Sequence, residues 1–313
     1  ARKLKRGLVL KSTGSWYSVK DIATNEVYLC NLRGKMRIDG IKNTNPITVG
    51  DYVDFDLNEN DKKGLISSIL PRKNYIIRKA TNLSKQTHII AANLDQAILM
   101  VTVASPETYP LFIDRFLITA EAYQIPAKLI FNKTDLYNAG QKAYMDYLVD
   151  IYQQAGYSCY KISVEKKINI DTIEDLLKDK VSVITGISGV GKSSLINSID
   201  PSLDLKTSKI SDYHKSGKHS TTFAEMFELS FGGYIIDTPG LRGFGLFDIK
   251  KEELFHYFPE IFKASKNCRF YNCTHVHEPG CEVVEEVRSG IISELRYQNY
   301  ISIFTEKDTK HRL

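Results

Sequence analysis

The residues Gly186, Ile187, Ser188, Gly189, Val190, Gly191, Lys192 and Ser193 spell G-x-x-x-x-G-K-[ST]. An apolar run, Val181 to Thr185, precedes them, and a segment with helical spacing follows. That context restricts the fold, because a phosphate-binding loop needs a buried strand to deliver it and a helix N-terminus to complete it. The glycines let successive backbone N–H groups turn inward around phosphates, and the helix dipole favours negative charge there. Lys192 reaches the outer phosphates, while Ser193, followed by Ser194, offers a hydroxyl to magnesium.

The periodicity around this loop agrees with such a setting. Strands are predicted at Gln96 to Val103, Ala127 to Phe131, Tyr157 to Ser163 and Val181 to Thr185. Helices are predicted at Leu111 to Tyr123, Gln141 to Gln154 and Asp171 to Leu177. Alternation of this kind means an α/β domain with a mostly parallel sheet. After the loop come one further helix, an irregular stretch from Asp200 to Ser220, and two strands, Phe223 to Phe231 and Tyr234 to Asp237, joined at Gly232-Gly233.

A phosphate loop does not choose a base, but Asn132, Lys133, Thr134 and Asp135, directly after the strand ending at Phe131, do. Asp135 can accept hydrogen bonds from the ring N–H and the exocyclic amine of guanine, whereas adenine would face it with an unpaired acceptor. The stem of Lys133 lies over the base and Asn132 ties the loop together. Ser163, with Val164 after it, is predicted to set its loop against the guanine carbonyl. Asp237-Thr-Pro-Gly240 ends a strand, which suits a carboxylate holding magnesium through water and a Gly240 N–H sensing the γ-phosphate. In the irregular stretch, Thr221 or Thr222 would complete the magnesium shell. The residue after Gly240 is Leu241, which cannot orient water, so His219, a partner's group or slow intrinsic turnover must account for hydrolysis.

The guanine motif stands before the phosphate loop, the reverse of the ordinary order, so the domain must be circularly permuted. Termini at a domain surface make that rearrangement tolerable. As a consequence the Asp237 segment leads straight into the C-terminal part, which nucleotide state is expected to move.

That part holds Cys268-x4-Cys273-x-His275-x5-Cys281. Three thiolates and one imidazole fill a closed tetrahedral site, so one structural zinc is predicted, with His277 a rival for His275. Helices are predicted at Glu252 to Phe262 and Ser293 to Phe304 around it. Arg269, Phe270 and Tyr271 either contact RNA or pack.

The first seventy or so residues read as five strands: Gly7 to Lys11, Trp16 to Asp21, Glu26 to Leu32, Tyr52 to Leu57 and Leu65 to Leu70. Five strands without a helix between them imply an OB-type β-barrel, with an SH3-like barrel as the alternative. Charge singles out the same part: residues 1–75 carry 14 Lys+Arg against 8 Asp+Glu, and the remainder 28 against 29. A basic module on a neutral enzyme suits nucleic acid. No apolar run approaches the roughly 20 residues of a membrane span, so neither membrane insertion nor export is expected.

Permuted guanine motifs behind an OB-like barrel and ahead of the Cys-rich segment resemble one bacterial family over essentially the whole chain, the ribosome-small-subunit-dependent GTPases (RsgA, YjeQ or YloQ). The resemblance implies a multi-domain chain, with an OB-fold RNA-binding domain at 1–72, a circularly permuted P-loop GTPase domain at 73–247 and a mostly helical zinc-binding domain at 248–313. It further implies a cytoplasmic, monomeric enzyme that binds the 30S subunit and 16S rRNA late in maturation. GTP, with magnesium, is hydrolysed to GDP and phosphate on activation by that subunit, and neither DNA nor membrane is a partner. His219 matches the family's catalytic histidine, and Leu241 its hydrophobic substitution. Gly189 stands where potassium-stimulated GTPases have Asn, so potassium is not expected. The competing expectation is a guanine-nucleotide-sensing RNA-binding protein whose hydrolysis is incidental.

Overall fold

The computed structural model describes residues 4–32, 46–58, 63–79, 87–203, 224–237 and 249–306. They form two compact units: Ala1–Gln96, Asp171–Ile184 and Ile196–Gly240 in the first; Ala97–Ile170, Thr185–Leu195 and Leu241–Leu313 in the second.

In the first unit, β1 (Lys5–Ser12), β2 (Tyr17–Asp21), β3 (Val27–Leu32), β4 (Tyr52–Asn58) and β5 (Lys63–Ile69) follow the expected segments to within a few residues. Their order is β1-β2-β3-β5-β4, with β1 also paired to β4, so the sheet closes as a five-stranded barrel. Alternation puts Val9, Tyr17, Val19, Val53, Phe55 and Ile66 in its core. β1 pairs with β2 from Gly7 to Ser12 and with β4 from Lys5 to Leu8, and a register shift between Val9 and Lys11 bends it. Asp51 is fully buried at the head of β4 and receives both Arg72 Nε and Nη2 at 2.6 Å, a bidentate pair that fixes the segment leaving the barrel. That segment forms an antiparallel hairpin of β6 (Tyr75–Lys79) and β7 (Thr87–Ala92), a stretch for which the sequence pattern carries no expectation.

Beyond β7 the chain forms, in order, β8 (Gln96–Val101), α1 (Pro110–Ala122), β9 (Ala127–Phe131), α2 (Ala139–Gln154), β10 (Ser158–Lys161), α3 (Ile170–Leu177), β11 (Val181–Thr185) and α4 (Lys192–Ile199). Two more strands, β12 (Glu225–Glu228) and β13 (Tyr234–Asp237), follow Pro201–Leu203. The first unit contains β11 and β13 as parallel neighbours, β12 antiparallel to β13, and β1 of the barrel beside β12. Lys11 pairs with Glu225 at 2.9 Å and Lys20 with Glu228 at 2.6 Å, so barrel and hairpin share both a ladder and charges. β12 is shorter than the strand expected from Phe223 to Phe231, and Phe223 lies outside the described residues.

The second unit holds β8, β9 and β10 side by side and parallel. Every residue of β8 is buried, as a parallel strand covered on both faces requires. Pro110 opens α1 at its first turn, where a missing N–H costs nothing, and Asn138 and Gln141 form a reciprocal capping box on α2.

The same unit carries the C-terminal elements α5 (Pro259–Ser265), α6 (Glu282–Arg288) and α7 (Glu294–Thr305). The continuous helix expected from Glu252 to Phe262 is broken: Lys251–Tyr257 is a 3-10 turn, and Phe258 is extended at φ −113°, ψ 96°. Pro259 is the cause, since its ring clashes with a helical predecessor. Phe258, Ile261 and Tyr300 pack with Ile118 of α1, and a buried ionic cluster lies beside them. Arg296 donates to Asp114 Oδ1 at 2.6 Å and to Glu260 at 2.6 and 3.0 Å, and Asn299 donates to Asp114 Oδ2 at 2.6 Å. The guanidinium also sits 4.7 Å from the Phe258 ring centre. Burial pushes the Asp114 carboxyl up while the guanidinium holds it down; burial would lower Arg296, but Asp114 and Glu260 outweigh that and keep it charged.

Removing one member strands the others in a dry site. Arg296→Met is therefore expected to lower stability by about 3–5 kcal/mol in urea denaturation, and adding Asp114→Leu to restore a large part of it. A loss below about 1 kcal/mol for Arg296→Met would contradict this reading of the cluster.

Candidate functional site

Parallel strands discharge their loops at one end, where ligands of open α/β sheets bind. In the second unit, Val101 of β8 and Lys161 of β10 both stand opposite Phe131 of β9. The loops that begin at Thr102, Asn132 and Ile162 therefore emerge side by side.

The Asn132 side chain joins three of the predicted segments. Nearly buried, it donates from Nδ2 to the Val190 carbonyl at 2.9 Å and accepts at Oδ1 from the Val164 N–H at 3.2 Å. A Cβ on Gly191 would stand 2.5 Å from that same Nδ2, and Gly191 has φ +100°, so glycine is required where the phosphate loop meets the guanine motif. The Ser163 hydroxyl donates to Asp135 Oδ1 at 2.5 Å and accepts from the Lys166 N–H at 3.0 Å. Lys133, at φ +66°, sends its Nζ to the Ser105 carbonyl at 2.5 Å. Asn132, Lys133, Asp135, Ser163 and Val164 are thus brought together with the phosphate loop.

Within that loop Gly186 has φ +153°, and a Cβ there would lie 2.7 Å from the Met100 carbonyl, so the chain passes too close to β8 for a side chain. Lys192 Nζ contacts the carbonyls of Gly186 and Ile187 at 2.6 and 3.0 Å, which holds the ammonium over the loop. Ser193 and Ser194 sit in the first turn of α4. In the first unit Asp237 is the last residue of β13, and Ile236 stands opposite Val183 of β11 in parallel register, so Asp237 leaves its strand in the same direction as β11. His219, Thr221, Thr222, Gly240 and Leu241 lie outside the described residues.

Two contributors carry no motif. One is the loop after β8, whose Pro106 lies 3.4 Å from a Cβ placed on Gly189. The other is Tyr137, 6% exposed, whose hydroxyl accepts from the Val103 N–H at 3.1 Å and donates to the Asn132 carbonyl at 2.5 Å. Burial raises its pKa, which keeps the phenol protonated as a donor. Nothing in the sequence singles it out beyond its place two residues after Asp135.

The second cluster lies between α5 and α6. Ligand atoms of Cys268, Cys273, His275 and Cys281 lie within 4.8 Å of one another. His275 Nδ1 is 3.6 Å from Cys268 Sγ and 3.5 Å from Cys281 Sγ, and these two sulfurs are 3.9 Å apart. A tetrahedral ion with zinc-like bonds puts sulfur about 3.8 Å from sulfur and about 3.6 Å from nitrogen, so the set fits. Burial lowers the His275 pKa, favouring the neutral imidazole that ligates, and raises the Cys273 thiol to about 12, so a cation is needed to draw the thiolate form. His277 is exposed and outside the set, which decides for His275. Around the cluster, α7 holds the knot through Tyr297 to the His275 carbonyl at 2.9 Å and Tyr300 to the Thr274 carbonyl at 2.7 Å. Glu278 caps it: burial would raise this carboxyl, but the Thr274 hydroxyl and N–H, with the His277 N–H, hold it at about 2. Tyr271 does not pack, being fully exposed, and Arg269 lies over the ring of the partly exposed Phe270 at 5.6 Å.

The RsgA GTPase family profile matches residues 69–247, and the RsgA N-terminal domain profile matches residues 6–66. A small ribosomal subunit biogenesis GTPase RsgA from Phocaeicola vulgatus is 55% identical over 305 residues, 97% of each chain. A protein of the same description from Christiangramia forsetii is 51% identical over 310 residues, 98% of each chain. Among solved structures, YjeQ from Thermotoga maritima superposes with TM-score 0.80 at 38% identity, over 96% of this chain and 98% of that one. YloQ, described as a circularly permuted GTPase, gives 0.77 at 31% identity over 99% and 98%.

Because four donors share the cluster, Cys273→Ser should cut bound metal, read by elemental analysis, to well below one equivalent and loosen the α5–α6 region in hydrogen exchange. A full equivalent retained by that variant would contradict the ligand set.

Proposed function

The chain belongs to the RsgA family of circularly permuted GTPases of small ribosomal subunit biogenesis, and from that premise we propose how its own residues do the work. It binds GTP, hydrolyses it to GDP and phosphate, and is triggered by the 30S subunit late in that subunit's maturation. The observation that carries this reading is the Asn132 carboxamide, which ties the guanine motif to the phosphate loop and to the Val164 turn. The GTPase family profile and the names of the relatives favour an enzyme over an RNA-binding sensor with incidental turnover.

Asp135 reads the guanine edge, Lys133 covers the base, and Ser163 with Val164 closes the third side. The N–H groups of Gly186 to Ser194 receive the phosphates and Lys192 neutralises the outer ones. Ser193, Asp237 and one of Thr221 and Thr222 hold magnesium, which when bound neutralises charge on the phosphate oxygens. Gly240 senses the γ-phosphate, and His219 positions the attacking water where Leu241 cannot.

The domains run 1–72, 73–247 and 248–313. The cysteine and histidine set holds one structural zinc, because its four donors leave no open position. The basic first quarter and the exposed Tyr271 beside Arg269 and Phe270 supply charge and a stacking surface suited to 16S rRNA. No described helix is long and apolar enough to cross a membrane. A monomer working in the cytoplasm suits a ribosomal partner.

Steady-state GTP hydrolysis, measured alone and with purified small or large subunits at one salt concentration, tests the proposal. A low basal rate raised selectively by the small subunit is expected, and equal rates throughout would remove the trigger. Lys192→Ala should abolish turnover, and His219→Ala should lower it by about 10²-fold or more while GTP affinity changes little. An unchanged rate in the histidine variant would return that residue to the surface.

A further inference from the structure

The turn that presents Asp135 is closed by a side chain rather than by backbone alone. Asn132 and Tyr137 flank it, and the Tyr137 hydroxyl donates to the Asn132 carbonyl at 2.5 Å. Lys133 between them holds φ +66°, and within the turn the Leu136 N–H reaches the Lys133 carbonyl at 3.0 Å. The same phenol oxygen accepts from the Val103 N–H at 3.1 Å. Val103 lies at the base of the loop after β8, which is pinned by the Thr108 hydroxyl accepting from the Thr102 N–H at 3.2 Å and by the Thr102 hydroxyl donating to the Pro106 carbonyl at 2.5 Å. The tip of that loop receives Lys133 Nζ at Ser105 and lies against Gly189 of the phosphate loop at Pro106.

One buried hydroxyl therefore joins the guanine turn to the base of a loop whose tip holds the guanine lysine and stands close to the phosphate loop. We infer that Tyr137 is a positioning residue for base selection: its hydroxyl sets the placement of Asp135 relative to the phosphate loop, and so the discrimination of guanine from purines lacking the exocyclic amine. The inference rests on Asp135 reading guanine. Phenylalanine fills the same space without the hydroxyl and leaves the Val103 N–H without a protein acceptor, so the turn can drift while the packing stays. Contacts to the phosphates are common to all purine nucleotides, so the loss should fall on the contact that distinguishes the bases.

The test compares wild type and Tyr137→Phe, as full-length chains, in calorimetric titrations with GDP and inosine diphosphate, alongside thermal melting. The expected result is GDP binding weakened about 5- to 30-fold, a GDP-to-inosine-diphosphate affinity ratio reduced about 3- to 10-fold, and a KM for GTP that rises more than kcat falls. A variant whose melting temperature drops while the affinity ratio stays within twofold of wild type would show that the residue only packs, which overturns the inference. Asp135→Asn, titrated with GDP and xanthosine diphosphate, separates the two levels. A switch to xanthosine diphosphate upholds the guanine reading whatever Tyr137 does, and no switch removes that reading and the inference with it.

Discussion

One carboxamide holds the nucleotide loops in register. Asn132 is anchored by its own N–H to the Val101 carbonyl at 2.9 Å, and its side chain reaches Val190 in one direction and Val164 in the other. Each of these segments is an irregular loop whose backbone groups have no ladder to satisfy them, and buried amide groups without partners are costly. The interaction is indifferent to chain order. It needs only that parallel strands bring their ends together, which is why the permuted connectivity keeps the site intact.

A second constraint lies behind α1. The Arg296, Asp114 and Glu260 cluster fastens α5 and α7 to that helix, and separating them means exposing or stranding charges that are now fully paired. The chain order implies that nucleotide state moves the Cys-rich C-terminal part. With these helices bound to α1, a displacement of the C-terminal part has to carry α1 along. α1 continues directly from the loop that receives Lys133 and runs close to Gly189, so the cysteine and histidine cluster, α1 and the nucleotide loops form a contiguous series within one unit.

Much of this was legible because the chemistry fixes spacing. The phosphate loop, the guanine motif and the cysteine set each need particular residues at set intervals, and β9, β11 and β13 fell where alternation and apolar runs put them. Five short strands without a helix between them foretold the barrel, and pair closure between β1 and β4 bears it out. The helix boundary failed where a local rule was overridden: Pro259 split an otherwise helical run, and the hairpin from Tyr75 to Ala92 carried no signal that the pattern could use. The contributors with no motif were invisible for a different reason. Tyr137 looks like any aromatic residue after a turn, and Asp114, Glu260 and Arg296 lie far apart in sequence and look like surface charges. Only the fold brings them together.

The central claim is that loops in permuted order assemble one guanine-selective site. Calorimetric titration of the intact chain with GDP and with ADP, both with magnesium, tests it most directly. The account predicts a single GDP site and at least about 10³-fold weaker ADP binding, because adenine leaves the Asp135 carboxylate facing an acceptor. Comparable affinity for the two nucleotides, or GDP binding unaffected by Asn132→Ala, would contradict it.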